Sequence, residues 1–170
     1  MRIYSALLPN FLFSIGLIYS SQGVAMSFFF KGEEVEAVLF SPMEGKITHQ
    51  GKPAADAKLK LWTAWKDKTS ETEFYYADEH GYFSIPKKTV IYKHTPLAQL
   101  SIGQEVTVEY QGKEFLIWKA GKSSLHLFGE LGGQPVGFIC ELTNENMNAH
   151  LDHALIETRC EWRQLNQMEE

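Results

Sequence analysis

The sequence has little cysteine, no excess of positive charge and no long uninterrupted apolar segment, and each shortage excludes a class of protein. Its 170 residues include 2 cysteines, and 16 basic residues against 21 acidic ones give a net charge of −5. Proteins that bind nucleic acids or anionic lipid surfaces depend on clustered lysine and arginine, so neither partner is expected. The apolar fraction of 44% is that of a globular protein with one core, not that of a disordered chain.

The first 25 residues have the three parts of a secretory signal peptide. Arg2 precedes an apolar stretch at 3–19, and the small residues Gly23 and Ala25 occupy positions −3 and −1 before a cleavage site. We therefore predict a signal peptide at residues 1–25, a lead-in at 26–35 and a periplasmic or secreted protein. Without Arg2, the remaining basic residues (16 less 1) against 21 acidic ones make the charge −6.

Two alternatives to a cleaved signal peptide stay open. The apolar stretch could remain as a membrane anchor, but Pro9 and polar residues interrupt a segment already short for a bilayer span, so no stable span is expected after cleavage. Translation could instead start at Met26, which would leave the protein in the cytoplasm.

Cys140 and Cys160 both lie in apolar, strand-like surroundings. An even number of cysteines behind a signal peptide favours one disulfide bond and an oxidising compartment. Two buried free thiols are the alternative. Neither cysteine has partners at the spacing of a structural zinc site, and no metal or cofactor is expected.

Beyond residue 35, apolar and polar residues alternate with period two, which predicts an all-β fold. We predict a single antiparallel β-sandwich of about seven to eight strands at residues 36–162, followed by a polar tail at 163–170. Strand-like segments occur at 36–40, 44–49, 56–65, 71–78, 82–86, 89–92, 104–110, 114–120, 135–142 and 154–162. The segments 93–103, 121–134 and 143–152 are predicted to be loops.

Three aromatic residues fall opposite the inferred core positions and are candidates for binding. In the segment 71–78 we expect Phe74 and Tyr76 on the core face and Tyr75 on the solvent face, and Trp62 and Trp118 are similarly predicted to be exposed. Exposed aromatic rings bind sugars by stacking and anchor protein interfaces. The alternative is burial, because a shift of one residue in register exchanges the two faces of a strand.

Two turn motifs carry a resemblance to a known family. Gly51-Lys52-Pro53 followed by Ala57, and Asp78 followed by Gly81 and Phe83, match the signature of the carboxypeptidase regulatory-like domain. At these positions proline fixes φ at a turn, and glycine allows a hairpin corner. The resemblance implies a transthyretin-like or Ig-like sandwich, and it implies no activity, because this domain occurs in many unrelated proteins.

The resemblance extends to a family of small proteobacterial proteins built around this one domain. The segments LFSPMEG, KEFLIWKA and CELTNE and the late Cys160-x-Trp162 carry it over nearly all of residues 36–162. It implies a single domain and a bond between Cys140 and Cys160, and it adds no function.

The sequence offers weak candidates for catalysis. It contains no Gly-x-Ser-x-Gly motif, and Ser123, Ser124 and His126 are more simply loop hydroxyls before a strand. Cys140 could act as a nucleophile with a histidine base only as a free thiol.

The strongest metal-ligand spacing is His150 and His153, with Glu145 upstream. On a helix the two histidines would share one face and could bind zinc or copper, whereas in a loop or strand they diverge. A polar loop is the simpler interpretation.

The sequence thus predicts a non-enzymatic, exported binding module. Its partner is expected to be another protein, in an accessory or immunity-type role, recognised through the aromatic face or the loops. Carbohydrate binding through the exposed aromatic residues is the alternative, and a metal site or enzyme at the histidines is a third.

Overall fold

A computed structural model describes residues 33–65, 69–94, 101–151 and 154–164 of the protein. These residues form thirteen β-strands and no helix, so none of them belongs to a helix that could span a membrane. The predicted signal peptide, most of the lead-in and the end of the polar tail lie outside the described residues. In chain order the strands are β1 (Glu33–Phe40), β2 (Met43–His49), β3 (Lys52–Pro53), β4 (Lys58–Trp65), β5 (Thr69–Tyr76), β6 (Tyr82–Ile85), β7 (Lys88–His94), β8 (Ile102–Tyr110), β9 (Lys113–Lys122), β10 (Pro135–Glu141), β11 (Met147–Leu151), β12 (Ala154–Thr158) and β13 (Cys160–Gln164).

The strands form three sheets, and the predicted all-β class is confirmed. A six-stranded sheet has the order β11-β12-β9-β8-β4-β5, and a two-stranded ribbon joins β1 to β7. In the five-stranded sheet, β2 pairs with β10 on one side and with β3 and β6 on the other. β10 pairs in turn with β13, which borders the sheet. All pairings are antiparallel except that of β2 with β10.

One apolar core lies between the two larger sheets. Leu59 of β4 and Val106 of β8 belong to the same buried cluster as Ile47 of β2, Ile85 of β6 and Phe138 of β10. Strands such as β4 and β6 contribute alternate residues to this interior, which explains the period-two pattern of the sequence. A smaller cluster of Ala37, Leu39 and Ile102 holds the two-stranded ribbon against the end of β8.

The chain passes from one large sheet to the other at Arg159, within a segment that was predicted as a single strand. β12 pairs with β9 in the six-stranded sheet, whereas β13 pairs with β10 in the five-stranded sheet. At the crossing, Arg159 donates hydrogen bonds from Nε to the carbonyl of Leu116 at 2.7 Å and from Nη1 to the carbonyl of Leu142 at 2.6 Å. The predicted loop at 143–152 also contains a strand, β11.

The predicted disulfide bond between Cys140 and Cys160 is confirmed. The two residues are direct partners on β10 and β13, their Cα atoms lie 4.0 Å apart, and both side chains are fully buried. The bond therefore ties the last strand to the five-stranded sheet from inside the core.

The two turn motifs have different positions: the turn at Gly51 joins β2 to β3 of the five-stranded sheet, whereas the turn at Asp78 and Gly81 connects β5 of the six-stranded sheet to β6 of the five-stranded sheet. Gly81 has a φ of +80°, and a β-carbon there would come 2.5 Å from the carbonyl oxygen of Ile47, so glycine is required. One carboxylate oxygen of Asp78 accepts hydrogen bonds from the backbone N–H groups of His80 and Tyr82 at 2.9 and 2.8 Å. Gly51 also has positive φ, while Pro53 lies in β3 instead of the turn.

Candidate functional site

A trough of about 490 Å³ opens on the face of the six-stranded sheet that is turned away from the core. Strands β4, β8, β9, β11 and β12 all contribute to it, so the site is built on paired strands and not on loops. We call this feature the trough. Its lining residues are Trp62, Gly103, Gln104, Glu105, Lys119, Ala120, Gly121, Asn148, Ala149, His150, Leu155, Ile156 and Glu157.

The floor of the trough consists of two glycines that are cross-strand partners. Gly103 of β8 pairs with Gly121 of β9, and Gly121 pairs in turn with Leu155 of β12. A β-carbon built on Gly121 would have no heavy atom within 4 Å. The depth of the trough therefore comes from the absence of two neighbouring side chains on an otherwise covered sheet.

Trp62 forms one wall of the trough and is 37% exposed. A β-carbon on Gly103 would lie 3.2 Å from Cζ3 and 3.5 Å from Cη2 of Trp62, so the indole leans over this glycine. One part of the ring is fixed by the backbone, and the rest is accessible from the trough.

A row of charged side chains borders the trough on one side. Lys119 of β9 is the cross-strand partner of both Glu105 of β8 and Glu157 of β12, which gives the order negative, positive, negative. Glu157 accepts a hydrogen bond from the amide of Asn146 at 2.7 Å. Within the described residues, the side chains of Glu105 and Lys119 make no hydrogen bond or ion pair. Their polar atoms are available to a ligand.

The end of the trough opposite Trp62 is apolar, with one imidazole beside it. Leu155 is 61% exposed, and its partner on the edge strand β11 is His150, which is also exposed. An aromatic wall, a flat floor, an apolar end and a charged border thus face the same space.

Trp118 does not belong to this site, and the structure corrects its predicted exposure. Its side chain is fully buried, and its Nε1 donates a hydrogen bond to Oε1 of Gln104 at 3.1 Å. The reason is a β-bulge, because Val106 pairs with Trp118 whereas Thr107 pairs with Leu116. The extra residue between them, Ile117, lets two consecutive side chains of β9 enter the core.

The faces of β5 are also the reverse of those predicted. Tyr75 pairs with the core residue Leu59 and packs partly buried against the core, whereas Phe74 and Tyr76 are 52% and 65% exposed. The register with β4 decides this, because Phe74 and Tyr76 lie opposite the solvent-facing lysines of that strand. Phe74 is covered in part by Lys58, whose Nζ lies 4.6 Å from the ring centroid.

Tyr75 takes part in a charged cluster on the inner side of β5. Its hydroxyl donates a hydrogen bond to Glu73, and Glu73 forms an ion pair with Lys88, which also binds Glu71 at 3.0 Å. Burial, together with the hydrogen bond to Glu73, raises the pKa of Tyr75 to about 12. This phenol is not an exposed stacking platform.

The predicted histidine sites are only partly described. His150 lies in the trough, whereas His153 is outside the described residues, and no group of three metal-ligating side chains occurs in the described part of the chain. Ser124 accepts a hydrogen bond from the backbone N–H of His126 at 3.2 Å, in a local turn.

Residues 43–145, more than half of the chain, match one family model, that of the "Domain of unknown function (DUF6795)". The chain belongs to the DUF6795 family. No curated protein and no solved structure matches the chain. The DUF6795 match contains Trp62, both floor glycines and Lys119, while Leu155, His150 and Glu157 lie beyond it.

Proposed function

We propose that this DUF6795 protein is a non-enzymatic, exported binding module that holds a sugar ring of a glycan in the trough. The finer fold that we propose for residues 36–162 is a transthyretin-like sandwich of the carboxypeptidase regulatory-like type. The buried disulfide supports export, since cytoplasmic thiols are kept reduced. No serine, threonine or cysteine nucleophile is among the described residues that line the trough.

The observation that carries this proposal is the position of Trp62 against the charged row. A pyranose ring has an apolar C–H face and a rim of hydroxyl groups. The accessible part of the indole suits the apolar face, and Glu105, Lys119 and Glu157 supply acceptors and donors for the hydroxyls. The two kinds of contact lie side by side in the trough, as such a ligand requires.

The size of the trough favours a small ring over a protein surface. Its volume of about 490 Å³ is within the usual range for small-ligand pockets. A stable protein interface buries about 800 Å² on each partner, so it would have to extend beyond the trough. A partner protein remains a second candidate, favoured by the exposed rings of Phe74 and Tyr76, which lie on a different strand.

Affinity electrophoresis in gels that contain xylan, soluble β-glucan, α-glucan or partly deacetylated chitin tests the proposal. We expect at least one polysaccharide to retard the wild-type protein and Trp62→Ala to abolish the retardation. Gly121→Leu should abolish it as well, because its β-carbon would have no heavy atom within 4 Å and the rest of the new side chain would occupy the trough. Ile139→Ala, which truncates an exposed side chain on the five-stranded sheet, is the matched control and should keep the retardation.

The outcomes separate the alternatives. Unretarded migration in every gel, or equal retardation of wild type and Gly121→Leu, would overturn the proposal that a glycan binds in the trough. The wild-type protein could instead release reducing ends from the polysaccharide that retards it. If Glu105→Gln or Glu157→Gln abolished this release, the protein would be a glycan-cleaving enzyme and not a non-enzymatic binding module. Amino-terminal sequencing and a thiol count on protein isolated from cell fractions test export.

A further inference from the structure

Strand β5 forms one border of the six-stranded sheet and is long and regular. It pairs with β4 through eight consecutive residue pairs, from Lys58 with Tyr76 to Trp65 with Thr69, without a register shift. Within the described residues no strand pairs with its other side. The other strands that border the two larger sheets are shorter: β11 and β13 have five residues each, β6 has four and β3 has two.

The backbone groups that β5 leaves unpaired can be assigned from the alternation of an antiparallel ladder. The N–H of Ala77 donates to the carbonyl of Ala57 at 2.9 Å, just beyond the strand. Residues at even spacing from Ala77 therefore bond to β4, and the N–H and C=O groups of Ser70, Thr72, Phe74 and Tyr76 point away from the sheet. This border is a template for one more strand.

β5 lacks most of the features that protect border strands from pairing. It contains no proline, lysine, glycine or bulge. Its only charges are Glu71 and Glu73, on the inner side, where Lys88 neutralises one of the two. On the outer side Phe74 and Tyr76 are exposed.

We propose that β5 is the docking border for a partner protein that contributes an extended segment as a seventh strand. Alternate side chains of that segment would contact the two faces of the sheet. Apolar side chains suit Phe74 and Tyr76 on the outer face, and lysine or arginine suits the excess negative charge of Glu71 and Glu73 on the inner face. A second copy of β5 fits less well, because antiparallel pairing would bring the carboxylates of both copies together.

A labelled octapeptide of alternating lysine and valine tests this docking by fluorescence anisotropy. We expect the wild-type protein to bind it, and Thr72→Pro to weaken binding at least tenfold, because proline removes an outward N–H that the sheet does not use. The matched control Thr72→Ala loses the same side chain and should bind like wild type. Denaturation curves of both variants verify that each is folded.

Modified peptides separate strand pairing from simple charge attraction. N-methylation of the residues at one parity should abolish binding, and N-methylation at the other parity should leave it intact, because only one set of amides faces β5. A glutamate-valine octapeptide should not bind. The proposal is overturned if no octapeptide binds, if both methylated peptides bind equally, or if Thr72→Pro binds like Thr72→Ala.

Two further measurements distinguish this surface from the trough and from self-association. Gly121→Leu should leave peptide binding unchanged, so glycan binding and peptide docking can fail independently. Sedimentation measures whether the protein dimerises as its concentration rises. Dimerisation that Thr72→Pro abolishes would assign β5 to a second copy of the chain and overturn the proposal of a different partner protein.

Discussion

The indole of Trp62 rests on the backbone of Gly103, where even a methyl group would come 3.2 Å from its Cζ3 atom. The glycine thus fixes the tilt of a partly exposed ring, and the ring in turn forms the wall of the trough. Neither glycine of the floor has a positive φ, so their role is to leave room and not to allow an unusual backbone conformation.

We expect Gly103→Ala to move Trp62 by a few tenths of an ångström and to weaken glycan retardation, with a change in the free energy of unfolding below about 1 kcal/mol. The tryptophan emission spectrum should shift, because the exposed fraction of Trp62 changes. Gly121→Ala is the matched control, since its methyl group meets no atom within 4 Å. Indistinguishable emission from the two variants would contradict the contact between Trp62 and Gly103.

The sequence is sufficient to predict the class of fold and the disulfide, but not which side chains line the site. Alternation in β4 places Leu59 inward and Trp62 outward, because that strand is regular and central. Trp118 could not be placed, since the bulge at Ile117 depends on pairing with β8 and leaves no local signal. Tyr75 was assigned to the wrong face because Phe74, Tyr75 and Tyr76 are three consecutive aromatic residues, so their alternation does not indicate which face of a border strand is covered.

The trough itself also could not be predicted, because its floor joins two glycines from different strands. Gly103 and Gly121 fall at the ends of segments predicted to be loops, 93–103 and 121–134, but they lie in β8 and β9, and only the register of these two strands brings them together. β11 lies in a segment that resembles a polar loop, and its contribution of His150 to the trough depends on pairing with β12.

Removal of the disulfide should destabilise the protein without changing its fold. Cys140 and Cys160 are 20 residues apart, and for a loop of that size chain entropy predicts a loss of about 3 kcal/mol. We expect the variant Cys140→Ala with Cys160→Ala to unfold at lower urea concentration by this amount and to keep its circular dichroism spectrum. A thiol assay of native wild-type protein should detect no reactive sulfhydryl group.

A buried ion pair lies beneath the floor of the trough. Nζ of Lys122 is 2.7 Å from Oε2 of Glu130, and both side chains are shielded from solvent. The other carboxylate oxygen of Glu130 accepts hydrogen bonds from the backbone N–H of Ser41 and from Nε2 of Gln104, at 3.0 and 3.3 Å. Although burial acts to raise the pKa of Glu130, the charge and hydrogen bond of Lys122, together with the hydrogen bond from Ser41, outweigh it and lower that pKa. Gln104 follows Gly103 in β8, and Lys122 follows Gly121 in β9. Because Glu130 contacts both residues, its carboxylate anchors both strands.

We expect Lys122→Met to destabilise the protein by about 3 to 5 kcal/mol, because it leaves a buried carboxylate without its counter-charge. Adding Glu130→Gln should recover part of this loss, since the amide keeps an acceptor for Ser41 without a charge. Lys60→Met, which breaks the exposed pair with Glu114, should cost less than about 1 kcal/mol. Urea unfolding of all three variants measures these differences, and an equal loss for Lys122→Met and Lys60→Met would contradict the assignment.

Glu141 holds the turn between β2 and β3 through its carboxylate. The oxygens accept hydrogen bonds from the backbone N–H groups of Gln50 and Gly51, both at 2.9 Å, and from the N–H and hydroxyl of Thr143. Partial burial acts to raise the pKa of Glu141, but the hydrogen bonds from Thr143, Gly51 and Thr48 outweigh it and lower the pKa from 4.5 to about 2. The ionised form is therefore the one that stabilises the fold.

Because the pKa of Glu141 is lower in the folded than in the unfolded state, its contribution to stability is complete above pH 4.5 and is lost as the pH falls toward about 2. We expect Glu141→Gln to be less stable than wild type by about 1.5 to 3 kcal/mol at pH 7, the usual range for a hydrogen bond to a charged group. The difference should shrink at pH 4 and nearly vanish near pH 2, where the wild-type side chain is also neutral. Urea midpoints at these pH values measure it, with Glu145→Gln, an exposed carboxyl in the loop that follows β10, as the control. A stability difference between wild type and Glu141→Gln that stays constant with pH would show that these hydrogen bonds do not lower the pKa of Glu141.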